Sequence, residues 1–416
     1  MIKRIKNSSF FRAIILLSSG SAVAQGIRAA ATPLLTRLYS PEAMGIYTYL
    51  ISISAIFMGI ANLRYEVAIV TDKNESHIFP LIKLSTIVGL ALTVLSSLGF
   101  GLYFYLNNKP FSWTLLLFFN VLAYSLTNVL TAYNNRNKEY RLISSMYIVR
   151  TSVQYVLAVL LGLINPIAPF LLIPYVLGEY MGVTRQAQSL KGHFLEILNI
   201  DLPAMKKVAI EHKKQPLFST PALLANSLSY SLITIFIENL FGLSTVGYYS
   251  ISVSLLGLPL AVIGSNISKV FMQRASEEFA STGSYRQTFT RTFGILFAIS
   301  LPMVLVMYLF AIPLCRFIFG AEWGISGEYI MILAPMFGIR FITSALSPAF
   351  TIIRKQQIEL YLQGTFLISN LVGYFVTKTM SLGVAGFLSL VSLLFSISYL
   401  LYLFFIFYYA KKLNTL

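Results

Sequence analysis

Residues 32–50 read TPLLTRLYSPEAMGIYTYL, and residues 234–252 read TIFIENLFGLSTVGYYSIS. The two stretches align without a gap. A step of 202 carries Thr32 to Thr234, Leu38 to Leu240, Gly45 to Gly247, Tyr47 to Tyr249 and, just beyond, Ser52 to Ser254. Each stretch is an apolar hairpin, two helix-forming runs joined at a short turn. Twice the step nearly exhausts the 416 residues, so one unit is used twice. In a membrane protein such a duplication points to two lobes that rock about a central site, the architecture of a transporter.

The composition places the chain in a bilayer. Hydrophobic residues make up 56% and charged residues only 11%, against about 25% charged in an ordinary soluble domain; the mean hydropathy is +0.74. Apolar runs of roughly 20 residues, the length needed to cross, fall at 13–35, 45–63, 84–106, 112–133, 142–163, 167–188, 216–241, 246–267, 288–313, 330–352, 358–377 and 384–409. The expectation is an all-α polytopic membrane protein with twelve transmembrane helices in two pseudo-symmetric six-helix lobes. Residues 1–188 form the N-terminal lobe, 189–215 a connector and 216–416 the C-terminal lobe. The connector mixes Lys206, Lys207, Lys213 and Lys214 with Phe194, Leu195, Leu198, Met205 and Val208, as a helix lying on a membrane surface does. A plain linker and a docking site for a partner are both compatible with that composition.

A net charge of +16 raises the question of nucleic acid, and the placement of the charge answers it. Most of the 31 Lys and Arg fall in the loops on one side, among them Lys73, Lys83, Arg136, Lys138, Arg141, Arg185, Lys191 and Lys269. Arg37, Lys109, Arg316 and Lys378 are left for the other side. That bias is the positive-inside rule, which puts both termini in the cytoplasm and the basic loops beside anionic phospholipids. No nucleic-acid partner is expected.

The residue inventory argues against an enzyme. The only aspartates are Asp72 and Asp201, so no Asp-x-Asp metal clamp exists. His77, His193 and His212 lie in polar stretches without a His-Glu-x-x-His pattern, and no Gly-x-x-x-x-Gly-Lys-Ser/Thr phosphate loop occurs. Cys315 is the only cysteine, which excludes an internal disulfide. We expect no catalytic residue, no metal and no cofactor.

What remains is charge inside apolar runs. Arg28 lies within the first span, Arg150 within the fifth, Glu179 near the middle of the sixth and Arg340 near the middle of the tenth. A charge at that depth costs about 2.5–3.5 kcal/mol even on the gentler insertion scales, so each should face a partner or a wet cavity. Arg150 and Glu179 stand on consecutive spans and either pair or line the cavity. Arg28 has no carboxylate nearby in sequence and is assigned to the cavity. Arg64 and Glu66 close the second span, where they form an exposed ion pair or meet an anionic head group, for which the planar guanidinium fork is suited. Glu238, near the outer end of the seventh span, either snorkels to the interface or binds a coupling ion. The surplus of deep arginines favours an anionic passenger.

These residues resemble a known family. LLTRLYSPEAMGIYTYL with LRYEVAIV, then KKQPLFSTPALLANSLS, then VGYYSISVSLLGLPLAVIGSNISKVFMQRASEEF, look like the polysaccharide biosynthesis flippases, the O-antigen (Wzx-type) translocases of the multidrug/oligosaccharidyl-lipid/polysaccharide exporter (MOP) superfamily. The resemblance is clearest over residues 10–75 and 210–285. It implies a bundle in the bacterial inner membrane that turns undecaprenyl-pyrophosphate oligosaccharide from the cytoplasmic to the periplasmic leaflet, in lipopolysaccharide or related polysaccharide biosynthesis. A glycan polymerase and other surface-polysaccharide assembly proteins are the partners it implies. Carried over by position, Arg28, Arg64 and Glu66 would hold the pyrophosphate; Arg150 and Arg340 join them by depth, with Glu179 and Glu238 as ion-coupling candidates. Two rivals stand beside this reading. A membrane glycan polymerase or ligase would be expected to carry a large outer loop, which this chain lacks. An exporter of another lipid-linked or drug substrate shares the same superfamily.

Overall fold

The structure is a computed structural model that describes residues 9–353 and 355–412. The expected position of both termini lies outside the described residues. All regular elements among the described residues are helical. In chain order they are α1 (Ser9–Leu38), α2 (Pro41–Met58), α3 (Tyr65–Thr71), α4 (Ile78–Leu106), α5 (Phe111–Arg136), α6 (Tyr140–Ile164), α7 (Pro169–Ala187), α8 (Phe194–Leu198) and α9 (Leu202–Glu211). They continue as α10 (Thr220–Phe241), α11 (Leu243–Pro259), α12 (Ser265–Thr282), α13 (Arg286–Phe319), α14 (Gly324–Leu346), α15 (Ala349–Ile352), α16 (Gln356–Met380) and α17 (Val384–Lys412). With α11 and α12 counted as one rod, twelve long rods result, and nine stretches of the described residues are apolar and long enough to cross a membrane. The chain divides into two compact units, Met1–Ser227 and Leu228–Leu416.

Sequence explains the turns of the duplicated hairpin. In the first copy Ser40 caps α2 by accepting from the Ala43 N–H, with Pro41 in the first turn and Glu42 beside the positive helix end. In the second copy the position 202 residues on is Gly242, whose φ of 85° only glycine adopts freely. Both devices start the second helix of the hairpin at the same register.

In the first unit, α1 and α6 run side by side in the same direction. Gly20 lies against Ser144, Arg28 against Tyr155, and the Tyr39 hydroxyl donates to the Ala158 carbonyl at 2.7 Å. Helices α6 and α7 approach closely because Gly178 has no side chain; a Cβ there would sit 2.7 Å from the Arg150 carbonyl oxygen. The second rod breaks. Helix α2 ends at Met58, and Leu63 and Arg64 follow in the left-handed region, φ 49° and 65°, before α3 begins. Such a conformation costs about 1–2 kcal/mol per non-glycine residue. Two asparagines hold it: Asn128 donates to the Met58 carbonyl at 3.1 Å, and buried Asn62 donates to the Ser85 carbonyl at 3.0 Å and to Ser125 Oγ at 2.8 Å. The Met58 carbonyl freed by the break is thus satisfied inside the protein, as lipid requires.

The amphipathic connector splits its apolar residues between two environments. Met205 and Val208 of α9 turn inward, Val208 into the cluster of Ile69, Leu81, Ile82, Leu130 and Tyr133, while Phe194, Leu195 and Leu198 are exposed. The Tyr65 hydroxyl donates to the Ala209 carbonyl at 3.3 Å, and the Lys83 ammonium to the carbonyls of Leu198 and Ile200 at 2.7 Å. Between α3 and α9 lies Asp72. Burial alone would push its carboxyl up; the Asn74 backbone N–H, His77 and His212 more than offset this and hold it at about 2.

In the second unit the corresponding rod does not break. Pro259 lacks the N–H an α-turn needs, and the helix answers with one π-turn, Leu260–Gly264, and continues as α12. Helix α14 packs against α11, α13 and α17. Its small residues Gly327, Ala334, Gly338 and Ala345 are buried, so neighbouring backbones come close without a hydrophobic drive from water.

Candidate functional site

The break after α2 opens a cavity of about 580 Å³ in the first unit, within the usual 300–1,000 Å³ of a small-ligand site. Arg64, Glu66, Val67, Val70 and Thr71 wall it on the α3 side, Tyr124, Thr127, Asn128 and Thr131 on α5, and Met146, Tyr147 and Arg150 on α6. Three residues singled out in sequence, Arg64, Glu66 and Arg150, thus converge on one space.

Arg64 owes its direction to its left-handed backbone. Its Nη1 donates to Glu66 Oε1 at 3.3 Å, with the arginine side chain 33% and the glutamate 9% exposed. Arg64 Nε and Glu66 Oε2 are buried without a protein partner. An unmade bond to a buried polar group costs about 1–3 kcal/mol, more for a charge, so the wall is incomplete until something polar enters.

Of the two alternatives left open by the sequence, Arg150 and Glu179 pair, and Arg150 alone of the two also lines the cavity. Arg150 Nη1 donates to Glu179 Oε2 at 3.1 Å, Glu179 is only 2% exposed, and Arg150 at the same time lines the cavity. The guanidinium also lies 5.9 Å from the Tyr147 ring centre.

Arg28 is not part of the cavity wall. Its Nε donates to the Tyr155 hydroxyl at 2.9 Å, five residues beyond Arg150 and so about 7.5 Å further along α6. Around it the Gln154 amide donates to the Tyr47 hydroxyl at 2.8 Å, and the Tyr47 and Tyr175 rings meet edge to face at 5.8 Å. The result is a guanidinium in a tyrosine-rich patch, one step removed from the ion pairs.

The second unit holds the same ingredients in another order. Arg340, on α14, lies 4.4 Å from the Tyr230 ring centre and 5.2 Å from that of Phe337. Tyr230 and Tyr399 share a hydroxyl hydrogen bond of 2.8 Å. Among the described residues no carboxylate pairs with Arg340, which the aromatic faces hold instead. Tyr230 is the repeat counterpart of Arg28. Glu238 stands in the last turn of α10, half-buried, about 12 Å along the axis from Tyr230.

Sequence reading missed the asparagines that fix the break and the tyrosines around Arg28. An apolar run with one Asn every few residues gives no clue to which carbonyl that Asn will reach. Tyrosine is so common here, 25 residues, that position alone does not separate a site from an interfacial belt.

The fold is shared with solved transporters of low sequence identity. An inward-facing multidrug resistance MATE family transporter of the MOP superfamily superposes with a TM-score of 0.74 at 13% identity, covering 97% of this chain and 99% of that one. The lipid II flippase MurJ, in an inward closed conformation, gives 0.74 and 13% over 96% of this chain and 90% of that one. A MOP superfamily transporter from Pyrococcus furiosus, described as having a binding pocket of reverse polarity, gives 0.62 and 13% over 97% and 96%. No curated protein sequence matches the chain. Residues 34–328, well over half of the 416, match the family of polysaccharide biosynthesis proteins, and the chain belongs to that family.

Proposed function

We propose that the chain is a flippase, not an enzyme, that turns an undecaprenyl-pyrophosphate-linked oligosaccharide from the cytoplasmic to the periplasmic leaflet of a bacterial inner membrane by alternating access. The passenger is an O-antigen or related surface polysaccharide repeat unit. The observation that carries this is the first-unit cavity, where Arg64 and Arg150 face one space and Arg64 Nε has no protein partner. Phosphate oxygens accept from a guanidinium in a forked, charge-assisted geometry and suit both arginines. The family's tie to polysaccharide biosynthesis and a fold neighbour named a lipid II flippase agree with a lipid-linked glycan. A cationic drug is a poor fit to a wall with that charge.

On this reading Arg64, Glu66 and Arg150 form the first contact for the pyrophosphate, with Arg28 and Arg340 receiving it deeper in each lobe. Glu179, tied to Arg150, and Glu238 are the groups through which an ion gradient acts. Residues 1–188 and 216–416 are the lobes, and residues 189–215 the cytoplasmic connector, beside anionic phospholipids.

A deletion strain tests the assignment. It should lose its surface polysaccharide and accumulate undecaprenyl-pyrophosphate oligosaccharide in the inner leaflet. Single repeat units reaching the periplasmic side in that strain would instead assign the chain to polymerisation or ligation.

A further inference from the structure

The chain has only three histidines and two aspartates, and two of the former meet one of the latter at a single point. Asp72 ends α3, His77 lies in the turn Glu75–His77, and Glu211 and His212 lie at the end of α9. One donor atom of each lies within 4.8 Å of all the others. Asp72 Oδ2 is 2.9 Å from His77 Nδ1 and 2.9 Å from His212 Nε2, and Glu211 Oε2 is 3.7 Å from His77 Nδ1.

With both imidazoles neutral, the cluster holds no positive charge to offset its two carboxylates. Two carboxylates converge on His77 Nδ1, whose single N–H points to one of them. Glu211 has no closer donor among the described residues. A cation at the centre satisfies all four groups. Around a metal with bonds of about 2.0–2.1 Å, tetrahedral ligands stand about 3.3 Å apart; three of the separations here are 2.9, 2.9 and 3.7 Å, and the others lie within 4.8 Å, so small side-chain shifts close the shell. One group behind the ligands is in place too: the Asn74 backbone N–H donates to Asp72 Oδ1 at 2.8 Å. Such outer contacts orient metal-ligating side chains.

We propose that Asp72, His77, Glu211 and His212 form a binding site for a divalent transition-metal ion of the zinc class. Two imidazole nitrogens with two carboxylate oxygens suit zinc and its neighbours. Copper(I) prefers sulfur, and magnesium and calcium prefer oxygen alone. The ion ties α9 to the end of α3, the helix whose start carries Arg64 and Glu66, and so stiffens one wall of the cavity. The site stands independently of the transport reading, because its test measures binding and not flux.

The experiment uses the full chain, purified in detergent without a polyhistidine tag, stripped with a chelator and then given Zn²⁺ alone. Metal content and thermal melting are the readouts. One Zn²⁺ per chain, a higher melting temperature on its addition and no displacement by excess Mg²⁺ are expected. His212→Gln should weaken Zn²⁺ binding by at least about tenfold and abolish the melting shift, while His193→Gln, at the remaining histidine, should leave both unchanged. Should His77→Gln, at a buried position, fail to fold, His212→Gln, whose side chain is 20% exposed, still decides. Substoichiometric zinc, equal binding by His212→Gln and His193→Gln, or displacement by Mg²⁺ would overturn the assignment.

Discussion

The second rod of each unit begins at the same register, with Gly45 matched to Gly247 and Tyr47 to Tyr249, and ends differently. In the first unit α2 stops at Met58, turns through two left-handed residues and restarts as α3; in the second, α11 passes through a π-turn and continues to Thr282. Asn62, whose side chain pins the break, corresponds to Gly264, which has none. Arg64 and Glu66 correspond to Asn266 and Ser268, and Asn266 bonds back to the Val262 carbonyl of its own rod at 2.6 Å. Charge therefore sits where the helix is broken, because the break opens a polar cavity for it. On the unbroken second rod, Asn266 at the matching position bonds only to its own backbone. Arg340, the deep cation of the second unit among the described residues, is held instead by the Tyr230 and Phe337 rings.

The contrast can be broken most violently at Glu179. Removing one partner of a buried ion pair strands the other, which costs about 3–5 kcal/mol. Glu179→Ala should thus sharply lower the melting temperature and abundance of the protein, and the double change Arg150→Met with Glu179→Leu should recover most of the loss. A stable, abundant Glu179→Ala protein would show that Arg150 does not depend on that partner.

Copying the second unit into the first gives the next effect. Asn62→Gly removes donors to the Ser85 carbonyl and Ser125 Oγ and should cost about 1–3 kcal/mol. Proteolysis near residues 59–64 should rise with it. Unchanged melting and cleavage would mean that the break is held by Asn128 alone.

Arg340→Met tests the aromatic hold in the second unit. Cation–π contacts are worth about 0.5–2 kcal/mol, so a modest drop in melting temperature is expected, together with weakened glycan delivery. Wild-type delivery would remove Arg340 from the passenger's path. Arg28→Ala should be milder still in stability, about 0.5–1.5 kcal/mol for its one bond to Tyr155, yet should block delivery. Normal surface polysaccharide from that variant would leave Arg28 with a packing role only.

Much of this was legible in the chain. The 202-residue step predicts the hairpins, and both copies start their second helix at the expected register, Pro41 and Leu243. Depth in an apolar run marked Arg150 and Glu179 as charges in need of partners, and they found each other. The broken helix was not legible: the run 45–63 reads as one span, while α2 ends at Met58 because Asn62 and Asn128 capture backbone and side-chain groups far away in sequence. Nor was the meeting of Asp72, His77 and His212, since 140 residues separate Asp72 from His212 and no spacing rule spans that distance.

Arg64→Asn separates structure from function most cleanly. Asparagine tolerates the left-handed backbone better than arginine does, and it is the residue at the corresponding point of the second unit, Asn266. The easier backbone offsets part of what Glu66 loses with its partner, so the variant should melt within about 1–3 kcal/mol of the wild type and still accumulate. In a deletion strain carrying it, lipid-linked oligosaccharide should remain in the inner leaflet. Full delivery of that glycan to the periplasmic leaflet by a stable Arg64→Asn protein would contradict a phosphate grip in the first-unit cavity.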